Sequence, residues 1–515
     1  MRKSCGLSLL LLVASCSRCG EKGAASAEEL IPSHPPGAVV SAPLAVLAGH
    51  LQSLGGRAAS LPGGEQLADL RKGIAARLGF DPFTREGLLA AGIDPDRAAA
   101  MGLLSQGQPS ELVLALPLAN ADLFMETAQR LAVDRSGYTQ AKEGALQAKV
   151  FVRGNSQLGI AVVRGYGLIA RGADAGKLLS QATALKPEAS LAQDPGLKAM
   201  RGKLGGGQDL VIYAPQGSPF PAQYGAPPLP GDLALSVASS AQGLALRLIA
   251  QLPPESAARA QGVLPGGGSW LASLLPEDAA VKARLGIAAP QLLSALAKVP
   301  RLLPLLERAD LTELFASLSP GAAVSLGVEK TANLGQLVDY GLDWRKKSPF
   351  DTVQLVALAQ IADEPRFTKA LGALILRLPA LGMQIARTGS DFQITYSGGK
   401  GARFGVREVE GKKIAYVIGG ALAPEELKRA PADKSPEAAM LSQDPGAAAR
   451  ADFGKLYDKI HALSQDAFGS GPQSYVTRSL LAQVIDPLRP MRVTLGVLAN
   501  PGSLDATLDV ELVAP

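Results

Sequence analysis

Three histidines, three cysteines, two triple-glycine runs and the Gly-Lys pair at 176–177 are the first places in this 515-residue chain to look for catalysis or ligation. His34, His50 and His461 stand alone, and no two share the spacing of metal ligands. Cys5, Cys16 and Cys19 crowd the amino terminus, so a zinc site built from Cys and His is not expected. Neither His-Glu-x-x-His nor Gly-x-Ser-x-Gly occurs. Arg171-Gly172-Ala173-Asp174-Ala175-Gly176-Lys177 has a Gly-Lys pair, but Arg171 replaces the first glycine of a phosphate loop and Leu178 its hydroxyl residue. Gly172 reads as a turn. Gly205–Gly207 and Gly266–Gly268 lack the strand-then-helix setting of a dinucleotide loop. Asp94 and Asp96 flank Pro95 and read as a turn. The expectation is a protein with no catalytic, cofactor-binding or metal site, and not an enzyme.

Chemistry of another kind is written at the amino terminus. Arg2 and Lys3 precede the apolar run Leu7–Val13, too short for the roughly 20 residues that span a bilayer. Val13-Ala14-Ser15-Cys16 follows and resembles the lipobox of bacterial lipoproteins. The resemblance implies cleavage before Cys16 and acylation of its thiol, and acyl chains in pairs anchor stably. Ser17 in place of Asp implies, in the same family, transfer to the outer membrane. The expected order is a signal peptide over 1–15 and a flexible tether over 16–33. Mature protein would hold only Cys16 and Cys19, so no disulfide would brace its body.

Composition narrows the partners. The chain is 47% hydrophobic and 19% charged, enough for two domains with cores of their own. Aromatics at 4% argue against a stacking surface for single-stranded nucleic acid. Loss of Arg2 and Lys3 takes the net charge from +5 to +3 (49 basic less 46 acidic), and the basic run Arg345-Lys346-Lys347 is short. No nucleic-acid partner is expected.

The elements fall into two related halves. Leu191-Ala192-Gln193-Asp194-Pro195-Gly196 returns as Leu441-Ser442-Gln443-Asp444-Pro445-Gly446. Asp before Pro suits a helix start, with Leu197, Met200 and Leu204 on one face after the first copy and Phe453, Leu456 and Ile460 after the second. Leu112, Leu114, Leu116 and Leu118 alternate as a half-buried strand, followed by a helix with Phe124. Val353–Ile361 and a helix with Phe367 repeat this 243 positions later. Strands at Lys149–Val152, Gly159–Val163 and Gly167–Ala170, then a helix at Ala175–Ala182, match Phe392–Tyr396, Arg403–Val406, Ile414–Ile418 and a helix at Pro424–Arg429. Each half closes on a hairpin, Leu233–Leu248 and Val493–Val510. The fold class expected is α+β: two tandem related repeats, 34–252 and 269–515, joined by a linker at 253–268. Each would be an antiparallel β-sheet with helices packed on one face. A Pro-rich stretch, Ala214–Gly231, belongs to the first half alone.

Gly92-Ile93-Asp94-Pro95, Asn120 to Phe124 and Ser190-Leu191 resemble an uncharacterised family of exported bacterial proteins, a domain of unknown function. The resemblance implies an exported α+β module and no known reaction.

The functional expectation is a lipid-anchored envelope lipoprotein, held to the outer membrane by Cys16 and facing periplasm or cell surface. It would be a non-catalytic scaffold or binding module, with an envelope protein or an apolar ligand as partner. The alternative is a periplasmic carrier of apolar ligands or lipids, cupped between sheet and helices.

Overall fold

The computed structural model describes residues 26–59, 64–105, 110–143, 148–219, 228–297, 311–335, 348–381, 383–389, 391–395, 401–427, 446–469 and 472–513. Cys16, Trp344, the basic run 345–347 and the second Gln-Asp-Pro block at 441–445 lie outside them.

Along the chain come β1 (Gly37–Pro43), α1 (Leu44–Ala58), α2 (Gly64–Leu78), α3 (Arg85–Ala90), β2 (Ala98–Ser105), β3 (Glu111–Pro117) and α4 (Ala121–Arg130). Then follow β4 (Thr139–Glu143), β5 (Lys149–Arg153), β6 (Ser156–Val163), β7 (Tyr166–Gly172), α5 (Ala175–Ala184), α6 (Pro195–Leu204) and β8 (Leu210–Ala214). These strands pair in the order β8-β1-β2-β3-β7-β6-β5-β4.

The chain continues through β9 (Leu233–Ser240), β10 (Gly243–Gln251), α7 (Pro254–Val263), α8 (Ser269–Ala272), β11 (Val281–Leu285), α9 (Ala289–Ala297), α10 (Thr312–Ala316), β12 (Leu318–Val328), β13 (Val353–Ile361) and α11 (Glu364–Arg377). It ends with β14 (Gln384–Thr388), β15 (Asp391–Thr395), β16 (Ala402–Val409), β17 (Lys412–Gly419), β18 (Gly446–Asp452), α12 (Phe453–His461), α13 (Pro472–Val484), β19 (Met491–Asn500) and β20 (Ser503–Leu512). Here the order is β18-β11-β12-β13-β17-β16-β15-β14, extended beyond β18 by β19, β20, β10 and β9. Every strand pairing among the described residues is antiparallel, so the fold is α+β.

Contacts divide the chain into two compact units. One holds residues 1–49, 72–199 and 209–228, and the other holds 50–71, 200–208 and 229–515. The β9–β10 hairpin, expected to close the first half, belongs to the second unit because β10 pairs along its length with β20.

Local chemistry accounts for the helix starts. Asn120, Asp174, Asp363 and Asp452 each accept hydrogen bonds from first-turn amides of the helix they precede, where the backbone has no partner of its own.

Three expectations need correcting. Helices do not lie on one face only. In the first unit the Phe124 ring of α4 sits on Gly167, where a Cβ would come within 2.3 Å of it. On the opposite face Leu179 of α5 lies against Gly159. In the second unit Ile414, Tyr416 and Ile418 of β17 join a core with Leu271 and Leu274, while Ala415 faces the cluster containing Phe367 and Leu371 of α11. Ala and Gly at the intervening strand positions let both faces be covered. Next, residues 26–33 are no flexible tether. Ala27, Leu30 and Ile31 are buried, and Ile31 fills the space left by Gly102, which has no Cβ. Last, the two Gln-Asp-Pro-Gly blocks are not equivalent. Gly196 lies in α6, but Gly446 opens β18, and the helix with Phe453 begins only after that strand.

Candidate functional site

The candidate residues that are described lie far apart in the sequence and each has its own surroundings. Asp194 precedes α6 as expected, but its carboxylate also does more. It is fully buried, and Oδ1 accepts the Leu197 amide at 2.9 Å and the Tyr213 hydroxyl at 3.3 Å. Oδ2 accepts the backbone N–H of His34 at 2.9 Å and lies 3.0 Å from its Nδ1. His34 has φ of 53°, so this aspartate pins a left-handed residue to the first unit. His461 lies 3.2 Å from Asp486 and its ring centroid 4.0 Å from that of Tyr457. Asp94 accepts the amide of Asp96, and Asp96 forms a 2.6 Å ion pair with Arg85 that holds its carboxyl below the usual range. Gly172 ends β7 rather than forming a turn, and Asp174 caps α5. Among the described residues no group of three or more His, Cys, Asp or Glu is placed to hold a metal ion.

His50 lines a hollow of about 490 Å³ with Thr494, Asp509 and Glu511. Burial, and then the Glu511 charge, push the Asp509 carboxyl above the usual range.

The most distinctive feature lies between sheet and helices, where the carrier alternative puts its ligand, and turns on alanines that sequence reasoning did not single out. A cavity of about 530 Å³ lies in the second unit, within the span of small-molecule sites, roughly 300–1,000 Å³. Its floor is the sheet: Ala322 and Val324 of β12, Ala357 and Ala359 of β13, and Ala415 and Val417 of β17. Its roof is helical, with Leu314 and Phe315 of α10 and Phe367, Leu371 and Leu374 of α11. Phe404 and Met383 stand at one end, Leu285 and Ile287 at the other. Tyr416 contributes backbone, since strand alternation turns its ring into the opposite cluster with Leu358. No charged side chain lines the cavity among the described residues. At its edge Arg366 grips Glu313 through two hydrogen bonds, 2.8 and 3.1 Å, tying α10 to α11. That contact holds the Glu313 carboxyl below its usual range.

The floor is hollow because its side chains are short. In the first sheet, Met101 pairs with Leu114, Leu114 with Ile169, and Leu116 with Gly167. The same registers in the second sheet hold Val324 with Ala357, Ala357 with Val417, and Ala359 with Ala415. Leu116 and Ala359 each stand eight residues before the helix phenylalanine, Phe124 or Phe367. Where the first sheet carries leucine or methionine, the second carries alanine or valine. The signal lies in the alignment of Leu114 and Leu116 with Ala357 and Ala359, since small residues on a core-facing strand leave room that something else must fill.

No protein family and no curated protein matches the chain. Solved structures do align with part of it. Crystal form III of TP0453 covers 48% of this chain and 89% of its own, at 14% identity and a TM-score of 0.28. Form IV gives 15% identity and 0.28, and form I gives 12% and 0.26. Likeness at this level carries no statement about fold or function.

Proposed function

We propose that the chain is an envelope lipoprotein that binds an apolar molecule in its second unit, held at the outer membrane by acyl chains on Cys16. Its body is a non-catalytic binding module made of two repeats of one α+β design. The single observation that carries the binding reading is the cavity floored by Ala357, Ala359 and Ala415. Left to solvent, its hydrocarbon walls keep apolar surface in water, the unfavourable contact that burial relieves. Water gains little from hydrocarbon walls. An apolar occupant removes the cost.

The repeat reading is supported by strand order: β8-β1-β2-β3-β7-β6-β5-β4 has the same sequence of neighbours as β18-β11-β12-β13-β17-β16-β15-β14. The anchor reading rests on the lipobox alone. Among the described residues no helix is long and apolar enough to cross a membrane.

Two experiments test the proposal. Native mass spectrometry of the purified protein should find an added apolar mass, and bare polypeptide that takes up no apolar probe refutes the binding reading. Growth with radioactive palmitate should label the protein and not Cys16→Ala; label absent from both refutes the anchor.

A further inference from the structure

The cavity floor does not end under its roof. Val324 of β12 pairs with Ala283 of β11, and Ala283 with Ala449 of β18. Ala449 then pairs with Leu495 of β19, Leu495 with Leu508 of β20, and Leu508 with Leu246 of β10. Residues paired directly across antiparallel strands share one face, so this row carries the floor onward as a single apolar surface. Two flanking rows do the same, from Ala447 to Leu248 and from Ala451 to Leu244. Three positions from each of β18, β19, β20 and β10, twelve in all, hold only Ala, Val and Leu.

None of the twelve is buried, and Leu495 is 46% exposed. The reverse face of the same strands is polar and yet holds buried side chains: Asp452, Thr494 and Ser503 are only 6, 7 and 8% exposed. An antiparallel sheet in water ordinarily turns its apolar face inward and its polar face outward. Here the sides are exchanged, and the open apolar side is the one that runs into the cavity.

At ~4.8 Å between strands and ~6.8 Å between residues on one face, the twelve positions tile roughly 390 Å². Apolar patches of a few hundred Å² on a monomer are often functional. The area is about half of the roughly 800 Å² that each partner gives to a stable protein–protein interface, so a second copy of this chain is a poor fit. Continuity with the cavity points instead to the cavity's own ligand.

We infer that this open face is the route by which a bilayer lipid enters and leaves the cavity, its hydrocarbon held against β10, β20, β19 and β18 on the way. The inference rests on the apolar-binding reading above and adds the ligand's class and its path. Hydrocarbon that crosses open water is penalised methylene by methylene. An apolar surface running unbroken into a cavity lowers that barrier to exchange. It acts on the rate and not on the equilibrium, since the start and the end of the path are unchanged.

The full-length protein, freed of bound lipid on a hydrophobic resin, is mixed with phosphatidylcholine vesicles that carry a self-quenching, fluorescently labelled phosphatidylcholine. Uptake relieves the quenching. L495E places a charge in mid-path and should slow uptake at least tenfold, with the final amount bound within twofold of wild type and melting unchanged. L480E, on α13 and equally exposed at 46%, should take up lipid at the wild-type rate. A359L, in the cavity floor, should instead lower the amount bound. L508E repeats the test if L495E does not fold. Wild-type rates in the folded path variants overturn the route. So does a wild-type dimer, seen by sedimentation, that L495E dissociates, for a second copy would then cover the face. Binding of the neutral dye N-phenyl-1-naphthylamine without uptake from vesicles overturns the lipid route and leaves the apolar-binding reading intact. Binding of neither overturns both.

Discussion

Ala359 pairs with Ala415 across β13 and β17, where the first sheet pairs Leu116 with Gly167. The consequence lies above the sheet. In the first unit the Phe124 ring drops onto Gly167 and packs with Leu88, Ile93 and Phe151. In the second, Ala415 packs against the cluster that contains Phe367, and both line the cavity above the short floor. One arrangement is a packed core, the other lines a cavity.

This asymmetry predicts unequal mutational costs. Phe124→Ala should destabilise its unit by about 3–5 kcal/mol, the usual cost of emptying a packed aromatic site. Phe367→Ala should cost distinctly less in ligand-free protein, because its ring already lacks partner atoms on the cavity side. Urea unfolding of both variants measures the difference; equal costs would mean that the cavity is packed shut.

Much of this fold is legible from period and capping. β3, β6, β7, β13 and β17 follow runs of alternating apolar residues, and Asn120 and Asp174 mark their helices by residue type alone. The polar strands β4 (Thr139–Glu143) and β14 (Gln384–Thr388) are not legible, since neither alternates. The covering of both sheet faces is hidden because Ala and Gly between large apolar residues read equally well as exposed or as closely packed. Turn chemistry misleads once: Asp-Pro-Gly recurs wherever a chain bends, so the match of 191–196 with 441–446 carries no equivalence of position. The cavity is hidden because Ala357 and Ala359 read as ordinary apolar strand residues until set against leucine.

Asp194 should be among the costliest polar residues to remove. It caps α6, binds Tyr213 and holds His34 from a fully buried position. Asp194→Ala loses a cap worth about 1 kcal/mol and charge-assisted bonds worth about 1.5–3 kcal/mol each before relaxation. A drop of at least 2 kcal/mol in denaturant unfolding is expected, and protease should gain access near residue 34. Wild-type stability in the variant would contradict this role.

Asp509 should oppose folding at neutral pH. Burial and the neighbouring Glu511 raise its folded-state pKa above the 3.8 of the free side chain. The folded state therefore holds this proton more tightly than the unfolded chain. Its contribution to stability is present below the unfolded value and is lost as pH rises through the folded one. Asp509→Asn should then stabilise the protein at pH 7 by more than at pH 3.5. Unfolding curves at both values check the sign; a variant that destabilises at pH 7 alone would contradict it.

Gly267 should not tolerate a side chain. Its φ is 95°, and a Cβ would lie 2.4 Å from the carbonyl oxygen of Pro320. Gly267→Ala combines backbone strain with a clash against main chain. A fall of at least 2 kcal/mol is expected by thermal unfolding, whereas Gly206→Ala, with open space around it, should be nearly neutral.

The most direct measurement is a crystal of the protein grown with a palmitic acid brominated at its terminal carbon. Anomalous scattering should place the bromine inside the second unit, between the alanine floor of β13 and β17 and the helices α10 and α11. Bromine found only on the surface, or no bound chain at saturating ligand, would contradict the account.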